Sequence, residues 1–155
     1  MYFGKYHHQI DEKQRFRIPS KLKDIVGDNP FIMRGPNNSL IVLKADDATQ
    51  MLQEQFGSIS IFDPSEKSRT LRMLTSTAIY AEEDKQGRMI LPSGLMEHAK
   101  IKEKGKNEIN RNIVIVGVYN KIEIWSEAVW DKHTSEGEED FDDKLFELIS
   151  KNSKD

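Results

Sequence analysis

The sequence predicts an α+β protein built from two tandem βαββ repeats with peripheral helices. Three observations lead there. The stretch Asp11-Glu12-Lys13-Gln14-Arg15-Phe16-Arg17-Ile18-Pro19-Ser20 recurs as Asp84-Lys85-Gln86-Gly87-Arg88-Met89-Ile90-Leu91-Pro92-Ser93. Asp84, Arg88 and Pro92 each lie 73 positions after Asp11, Arg15 and Pro19. A second pair of segments, Gly35 to Val42 and Gly117 to Ile124, matches at a spacing of 82. Finally, short strand-like runs alternate with brief helical patterns in the same order in both halves. A repeat at fixed spacing outranks other sequence signals. The second copy carries nine more residues between its two matching segments than the first. The polar run Lys102 to Glu108 accommodates them as an exposed loop insertion.

In chain order, Tyr2 to Ile10 reads as a strand because its aromatic residues favour the pleated conformation. Asp11 to Gln14 is a polar turn. The strand resumes at Arg15, with Phe16 and Ile18 on one face and Arg15 and Arg17 on the other, and stops at Pro19. Ser20 is placed to cap a short helix through Ile25 or Val26, which Gly27 can close. Phe31 to Arg34 and Leu40 to Leu43 are strands joined by Pro36-Asn37-Asn38, residues suited to a turn with positive φ.

Asp46 and Asp47 open a helix that Gly57 stops. The run Asp63-Pro64-Ser65-Glu66 starts another, which reaches about Thr75 and buries Leu71 and Leu74. The second copy repeats the plan: a strand over Ala78 to Glu83, a turn, a strand over Arg88 to Leu91, a short helix from Ser93, and a hairpin over Asn112 to Trp125. Ile113 to Val116 is continuously apolar, so that strand is expected to be covered on both faces. Ser126 caps a helix carrying Val129 and Trp130. A polar break at Thr134 to Gly137 is expected to precede a last amphipathic helix bearing Phe141, Leu145, Phe146, Leu148 and Ile149. That apolar stripe requires a cover, from its own core or from a neighbouring subunit. The organisation is therefore repeat 1 over 5–47, a helical linker over 48–77, repeat 2 over 78–127 and an acidic helical tail over 128–155.

Composition bounds the function. With 155 residues, the chain suits one body or two small units sharing a core. It has no cysteine, so disulfide and thiolate chemistry are excluded, and a reducing cytoplasm is allowed. No signal peptide or bilayer-spanning run is visible. The net charge of −3 is unevenly spread. From Asp131 onward nine acids face four bases, a net of −5 that leaves the rest of the chain at +2. Between Lys5 and Lys23 lie six bases against Asp11 and Glu12. A basic head of this kind is what a polyanion would meet, while most single bases in such a run are simply solvated.

Each repeated turn sets an aspartate four residues before an arginine. Across a tight turn the carboxylate can hold the guanidinium and so reduce the freedom it loses on binding. Arginine matches the N7 and O6 acceptors of guanine, and a two-stranded ribbon fits the major groove. Lys13 and Lys85 at the turn tips, with Arg17 and Lys5 nearby, suit phosphates. A single such ion pair on a surface is worth only about 0–1 kcal/mol and would not suggest function. Two copies at one spacing, each followed by Pro-Ser, do.

These residues resemble the MraZ family, the two-repeat bacterial transcription factors related to the AbrB and SpoVT DNA-binding domains. The resemblance rests on Gly4-Lys5-Tyr6, both Asp-x-x-x-Arg motifs, Ile18-Pro19, Leu91-Pro92, Val116-Gly117 and Asn120-Lys121-Ile122-Glu123-Ile124-Trp125. It covers nearly the whole chain except the loop near Lys104 and the last 20 or so residues. It implies two AbrB-type units interlocked into a small β-barrel, assembled into a closed homo-oligomeric ring, commonly an octamer. It further implies a cytoplasmic, nucleoid-associated regulator that binds double-stranded DNA at direct repeats upstream of the division and cell-wall gene cluster. The DNA-contacting turns carried over are Asp11, Arg15, Asp84 and Arg88, which Lys13, Arg17 and Lys85 support. The family turn reads Asp-x-x-Gly-Arg, as at Gly87, whereas the first copy has Gln14. If that position needs positive φ, glutamine costs on the order of 1 kcal/mol, and the first loop is expected to differ in shape.

Other features carry less. His7 and His8 are neighbours on a strand and point to opposite faces, so they do not ligate one ion from one side. His98 and His133 lack partners at ligand spacing, and without cysteine no metal site is expected. Glu82-Glu83 and Glu138-Glu139 lie in solvated runs with no nucleophile motif and no phosphate loop nearby, so no enzyme, cofactor or small-molecule substrate is expected. Trp125 and Trp130 suit a core or a subunit contact. The acidic total and tail leave one alternative, a protein-interaction ring that does not touch DNA.

Overall fold

Short strands need partners, and in this chain the partners come from the other copy. The computed structural model describes residues 1–101 and 111–153, so the insertion expected at 102–108 lies outside the described residues. The elements are β1 (Lys5–Gln9), β2 (Arg15–Phe16), α1 (Ser20–Val26), β3 (Phe31–Arg34), β4 (Leu40–Leu43), α2 (Ala45–Phe56) and α3 (Glu66–Ser76). The second half supplies β5 (Ile79–Tyr80), β6 (Met89–Ile90), α4 (Ser93–His98), β7 (Asn112–Val118), β8 (Lys121–Ser126), α5 (Glu127–Glu138) and α6 (Phe141–Asn152). The architecture is α+β.

Six strands form an antiparallel sheet in the order β1-β7-β8-β4-β3-β5, and β2 pairs antiparallel with β6 in a separate ribbon. The first strand of each copy therefore lies beside the third strand of the other: β1 on β7 and β5 on β3. The remaining cross-copy ladders join like with like. In β4–β8 the central pair is Ile41 with Glu123, residues 82 apart. In β2–β6 Phe16 faces Met89, residues 73 apart. Each spacing equals the repeat offset of its segment, so each ladder is centred on a local twofold. The barrel implied by the family resemblance takes the form of an interlocked core. Sheet and ribbon face one interior, and backbone pairing among the described residues does not close into a continuous ring.

Into that interior the ribbon sends Phe16, Ile18, Met89 and Leu91, the short helices send Leu22 and Leu95, and the sheet sends Leu40, Ile115, Ile122 and Ile124. The other face of the sheet is covered at one end by α2 and α3, where Ala48, Met51, Leu52 and Leu74 meet Phe31, Met33 and Leu43. At the other end α5 sets Trp130 edge-on to the buried Trp125, with centroids 5.5 Å apart, and His133 at 4.9 Å. Ile113, Val114 and Ile115 are fully buried, as expected for a strand covered on both faces, whereas Val116, expected to share that burial, is half-buried.

One glycine is dictated by a close approach. The N-terminal segment crosses β7, with Tyr2 and Tyr119 exchanging backbone hydrogen bonds of 2.8 Å and the Gly117 N–H donating to Gly4 O. A Cβ on Gly117 would lie 2.3 Å from Phe3 N, which no side chain allows. The turn residues Asn37 and Asn38 take positive φ, 57° and 62°. Tyr119, 82 residues beyond Asn37, occupies the same region at 63°.

Several local expectations change. Pro19, not Ser20, stands at the N-terminus of α1, and Ser20 makes no capping bond there. Asp63 folds back to accept from Ser65 N at 2.7 Å, so α3 begins only at Glu66, and Leu71 and Leu74 are half-buried rather than buried. The break expected at Thr134 to Gly137 is absent, because α5 runs unbroken to Glu138. Thr134 Oγ1 donates to Trp130 O at 2.9 Å and Ser135 Oγ donates to Lys132 O at 3.0 Å. These hydroxyls satisfy themselves inside the helix instead of ending it. Ser126 does cap α5, accepting from Val129 N at 3.3 Å.

Candidate nucleic-acid interface

The two repeated turns have one geometry. In the first, Asp11 Oδ1 accepts from the N–H groups of Lys13 and Arg15, both at 2.9 Å, and Oδ2 accepts from Arg15 Nε at 2.7 Å. In the second, Asp84 Oδ1 accepts from Gln86 at 2.8 Å and Arg88 at 2.9 Å, and Oδ2 accepts from Arg88 Nε at 2.9 Å. Backbone bonds close both loops identically: Asp11 N to Arg15 O with Gln14 N to Asp11 O, and Asp84 N to Arg88 O with Gly87 N to Asp84 O. Each carboxylate thus ties the turn and the arginine at once. The guanidinium is engaged through Nε, which leaves its two Nη groups out of that bond, the arrangement an arginine needs to present a fork.

The expectation that Gln14 reshapes the first loop is overturned. Gln14 adopts φ 62° and Gly87 adopts φ 76°. The strain at Gln14 is offset by its side chain, whose Nε2 lies 3.2 Å from Leu91 O, 3.3 Å from Ser93 Oγ and 3.1 Å from Met96 Sδ, all in the other copy. Gly87 has no side chain to reach with and, lacking a Cβ, takes its positive φ without that strain. Gln14 is a residue whose role the sequence signalled only as a departure.

Pairing of β2 with β6 decides where the arginines face. Phe16 and Met89, directly opposite one another, point inward and are buried. Side chains alternate along a strand, so Arg15, Arg17, Arg88 and Ile90 share the outward face. Arg15 and Arg88, each with a quarter of its side chain exposed, line one shallow cleft of about 430 Å³. Arg17 is exposed and lines a neighbouring cleft. Lys13 and Lys85 are exposed at the tips of their turns. The structure thus brings both motif arginines to one surface. Lys23, counted with the basic head, is spent on Glu83 Oε1 at 2.8 Å and Asp28 at 3.1 Å.

Electrostatics favour ionised braces. Partial burial alone would raise the Asp11 carboxyl, but the Arg15 N–H, the Arg15 guanidinium and the Lys13 N–H outweigh it and hold Asp11 below the usual carboxylate value. At Asp84 the Arg88 N–H dominates over a smaller rise from burial, and the Gln86 N–H and the Arg88 guanidinium add to it, again lowering the pKa. A depressed folded pKa means stabilisation that is present above the unfolded value and lost as pH falls through the folded one.

The histidines have structural surroundings. His7 is exposed and lies 3.8 Å from Glu127, whereas His8 faces the other way and its pKa is lowered by burial. His98 Nε2 lies 3.0 Å from Gly35 O. Among the described residues no group of three or more His, Asp or Glu side chains is arranged to hold a metal, and no helix is long and apolar enough to cross a membrane.

Fold and turns together define a strand-exchanged, two-repeat domain with a duplicated, carboxylate-braced arginine. Comparison with known proteins identifies the family. A family model described as "MraZ protein, putative antitoxin-like" matches residues 74–152. A "Transcriptional regulator MraZ" of Pediococcus pentosaceus is 34% identical over 152 residues, spanning 96% of this chain and 97% of the relative. Proteins of the same name from Oenococcus oeni and Caldanaerobacter subterraneus subsp. tengcongensis are 33% and 31% identical, spanning 96% and 92% of this chain and 96% and 93% of theirs. The chain belongs to the MraZ family.

Two outcomes follow from the turn geometry. Gln14→Ala keeps the positive φ and loses the side-chain bonds, so it should lower unfolding stability by about 1–2 kcal/mol, while Gln14→Gly should fall nearer wild type. Urea denaturation distinguishes them, and equal stability of all three proteins would contradict the compensation. In acid, the thermal midpoint should hold down to about pH 5 and drop below about pH 4 as Asp11 and Asp84 protonate. The Asp11→Asn/Asp84→Asn double variant should show a flatter profile over that window, and a profile unchanged from wild type would refute the role of the two carboxylates.

Proposed function

We propose that the protein is a sequence-specific DNA-binding transcriptional regulator. It acts in the cytoplasm, at the nucleoid, as a homo-oligomeric ring of octamer type on direct repeats in the promoter of the division and cell-wall gene cluster. Repeats 5–47 and 78–127 each supply one reading turn, and 128–155 is the acidic helical tail. The observation that carries this reading is the pair of braced arginines, Arg15 and Arg88, on the outward face of one two-stranded ribbon. Such a ribbon fits a major groove, where a preset guanidinium fork meets guanine. Lys13, Arg17 and Lys85, exposed around the arginines, suit phosphate contacts that position the ribbon. The names of the relatives, transcriptional regulators, support the same reading.

A ring strengthens weak individual contacts, because once one subunit is bound each further contact is intramolecular. The exposed stripe of α6 supports association with a second copy: Phe141, Leu145, Leu148 and Ile149 recur on one helical face and are 42–60% exposed. A cover of matching chemistry exists on the same chain. An apolar groove of about 510 Å³ lined by Met33, Pro36, Ile41, Met73 and Leu74 lies beside α3, whose Lys67, Arg69 and Arg72 are exposed. The flanks of α6 carry Asp142, Asp143 and Glu147. Docking α6 of one copy on α3 of the next is a heterologous contact, the kind that generates rings.

In gel shifts on the DNA upstream of its own operon, Arg15→Ala and Arg88→Ala should each weaken binding by about 1–3 kcal/mol, roughly 5- to 160-fold. Wild-type affinity should fall steeply with salt as counterions are released. A double variant that binds as wild type does would reject the site, and an oligomer without DNA affinity at moderate salt would leave a protein-interaction ring. Light scattering tests the assembly: Leu145→Asp/Ile149→Asp should reduce the wild-type oligomer to smaller species. A monomeric wild type would dismiss the ring.

A further inference from the structure

Two turns of identical geometry about a local twofold would read DNA equally well in either direction, yet the ribbon between them is not symmetric. We infer that the position pair Arg17 and Ile90 gives the chain a polarity on DNA, with Ile90 seated on a thymine methyl group and Arg17 on a phosphate. The inference rests on the DNA-binding reading above.

Arg17 and Ile90 are equivalent positions, 73 residues apart, both on the outward face. Ile90 lies directly opposite Arg15 and is 59% exposed. A lone exposed isoleucine is ordinary on a protein surface. This one stands in the same cleft as both braced arginines. The C5 methyl of thymine is the apolar feature of the major-groove edge, and an apolar side chain held among guanine-reading arginines is placed to meet it.

The two flanking clefts, each about 430 Å³, carry the difference outward. Beside Ile90 lie Ile79, the exposed Tyr80 and the acidic Glu82 and Glu83, with Arg15 and Arg88 tied to their aspartates, a setting that gives Ile90 apolar neighbours for a base methyl. Beside Arg17 lie His8, Ser20 and Lys23, and the acids there are Asp24 and Glu83, the latter already paired with Lys23. Arg17 itself has an exposed side chain. One half of the ribbon is thus suited to phosphate and the other to an apolar base edge. A chain with that asymmetry binds a directional element in one orientation only, which suits repeats that all point the same way.

The test uses the full-length protein and the tightest duplex it selects from a randomised library. Each thymine is replaced singly by uracil, which removes only the C5 methyl. At one thymine, wild-type affinity should fall about fourfold, the equivalent of one buried methyl group. Ile90→Ser should be indifferent at that thymine while still depending on Arg88, with its thermal midpoint showing that it remains folded. Ile90→Arg, which makes the ribbon alike in both halves, should bind a palindrome of the Arg17 half-site more tightly than the selected directional element. If wild type and Ile90→Ser respond alike to every uracil, the polarity inference is overturned while the DNA-binding reading stands. If wild type selects no duplex, or Arg15→Ala/Arg88→Ala binds fully, the DNA-binding reading falls and takes the inference with it.

Discussion

Everything in the molecule depends on a missing partner. Neither copy contains the strand that its own first strand pairs with, so β1 must find β7 and β5 must find β3. Once those exchanges are made, the second strands meet each other and form the ribbon. A ribbon of two residues per strand has little stability alone. Here it is held by burial of Phe16 and Met89 beneath it, and its outward face is fixed as a consequence. The outward-facing arginine surface is thus a by-product of the packing constraint. Any change that weakens the cross-copy sheet also removes the platform for the arginines.

On that platform the aspartates do two jobs that a surface ion pair would not. A solvent-exposed Asp–Arg contact contributes little because two mobile side chains must be ordered to make it. Asp11 and Asp84 each also accept from two backbone N–H groups of their own turn, so the carboxylate is already fixed before the guanidinium arrives. The arginine then loses less freedom on binding a target than an unbraced one would. Positive φ at Gln14 and Gly87 is the conformational cost of this turn, and the two copies meet it differently. Glycine meets it by lacking a Cβ, and glutamine by reaching across to the opposite copy.

Much of this was legible in the sequence because it is local or periodic. The duplicated motif exposed the repeat, alternation placed Phe16 inside and Arg15 and Arg17 outside, and Asn37-Asn38 signalled their turn. What was not legible depends on contacts distant in sequence. Nothing in either decapeptide states that β2 pairs with β6 rather than with a neighbour in its own copy, so the meeting of Arg15 and Arg88 on one face could not be read there. Gln14 looked like a defect because its compensating partners, Leu91 and Ser93, lie 77 and 79 residues away. The polar run at Thr134 looked like a helix end because composition cannot show hydroxyls bonding back to their own helix.

Duplication and asymmetry then divide the work. The identical parts are the brace and the arginine, which both turns preserve to within 0.2 Å in the shared Arg Nε bond, 2.7 Å against 2.9 Å. The parts that differ, Arg17 against Ile90 beyond the turn and Gln14 against Gly87 within it, leave that geometry undisturbed. A duplicated unit can diverge at such positions without losing its fold, because an exposed outward side chain and a compensated turn residue cost little stability. The twofold of the backbone supplies two equivalent braced arginines, and the side chains that break it give the ribbon two unlike halves.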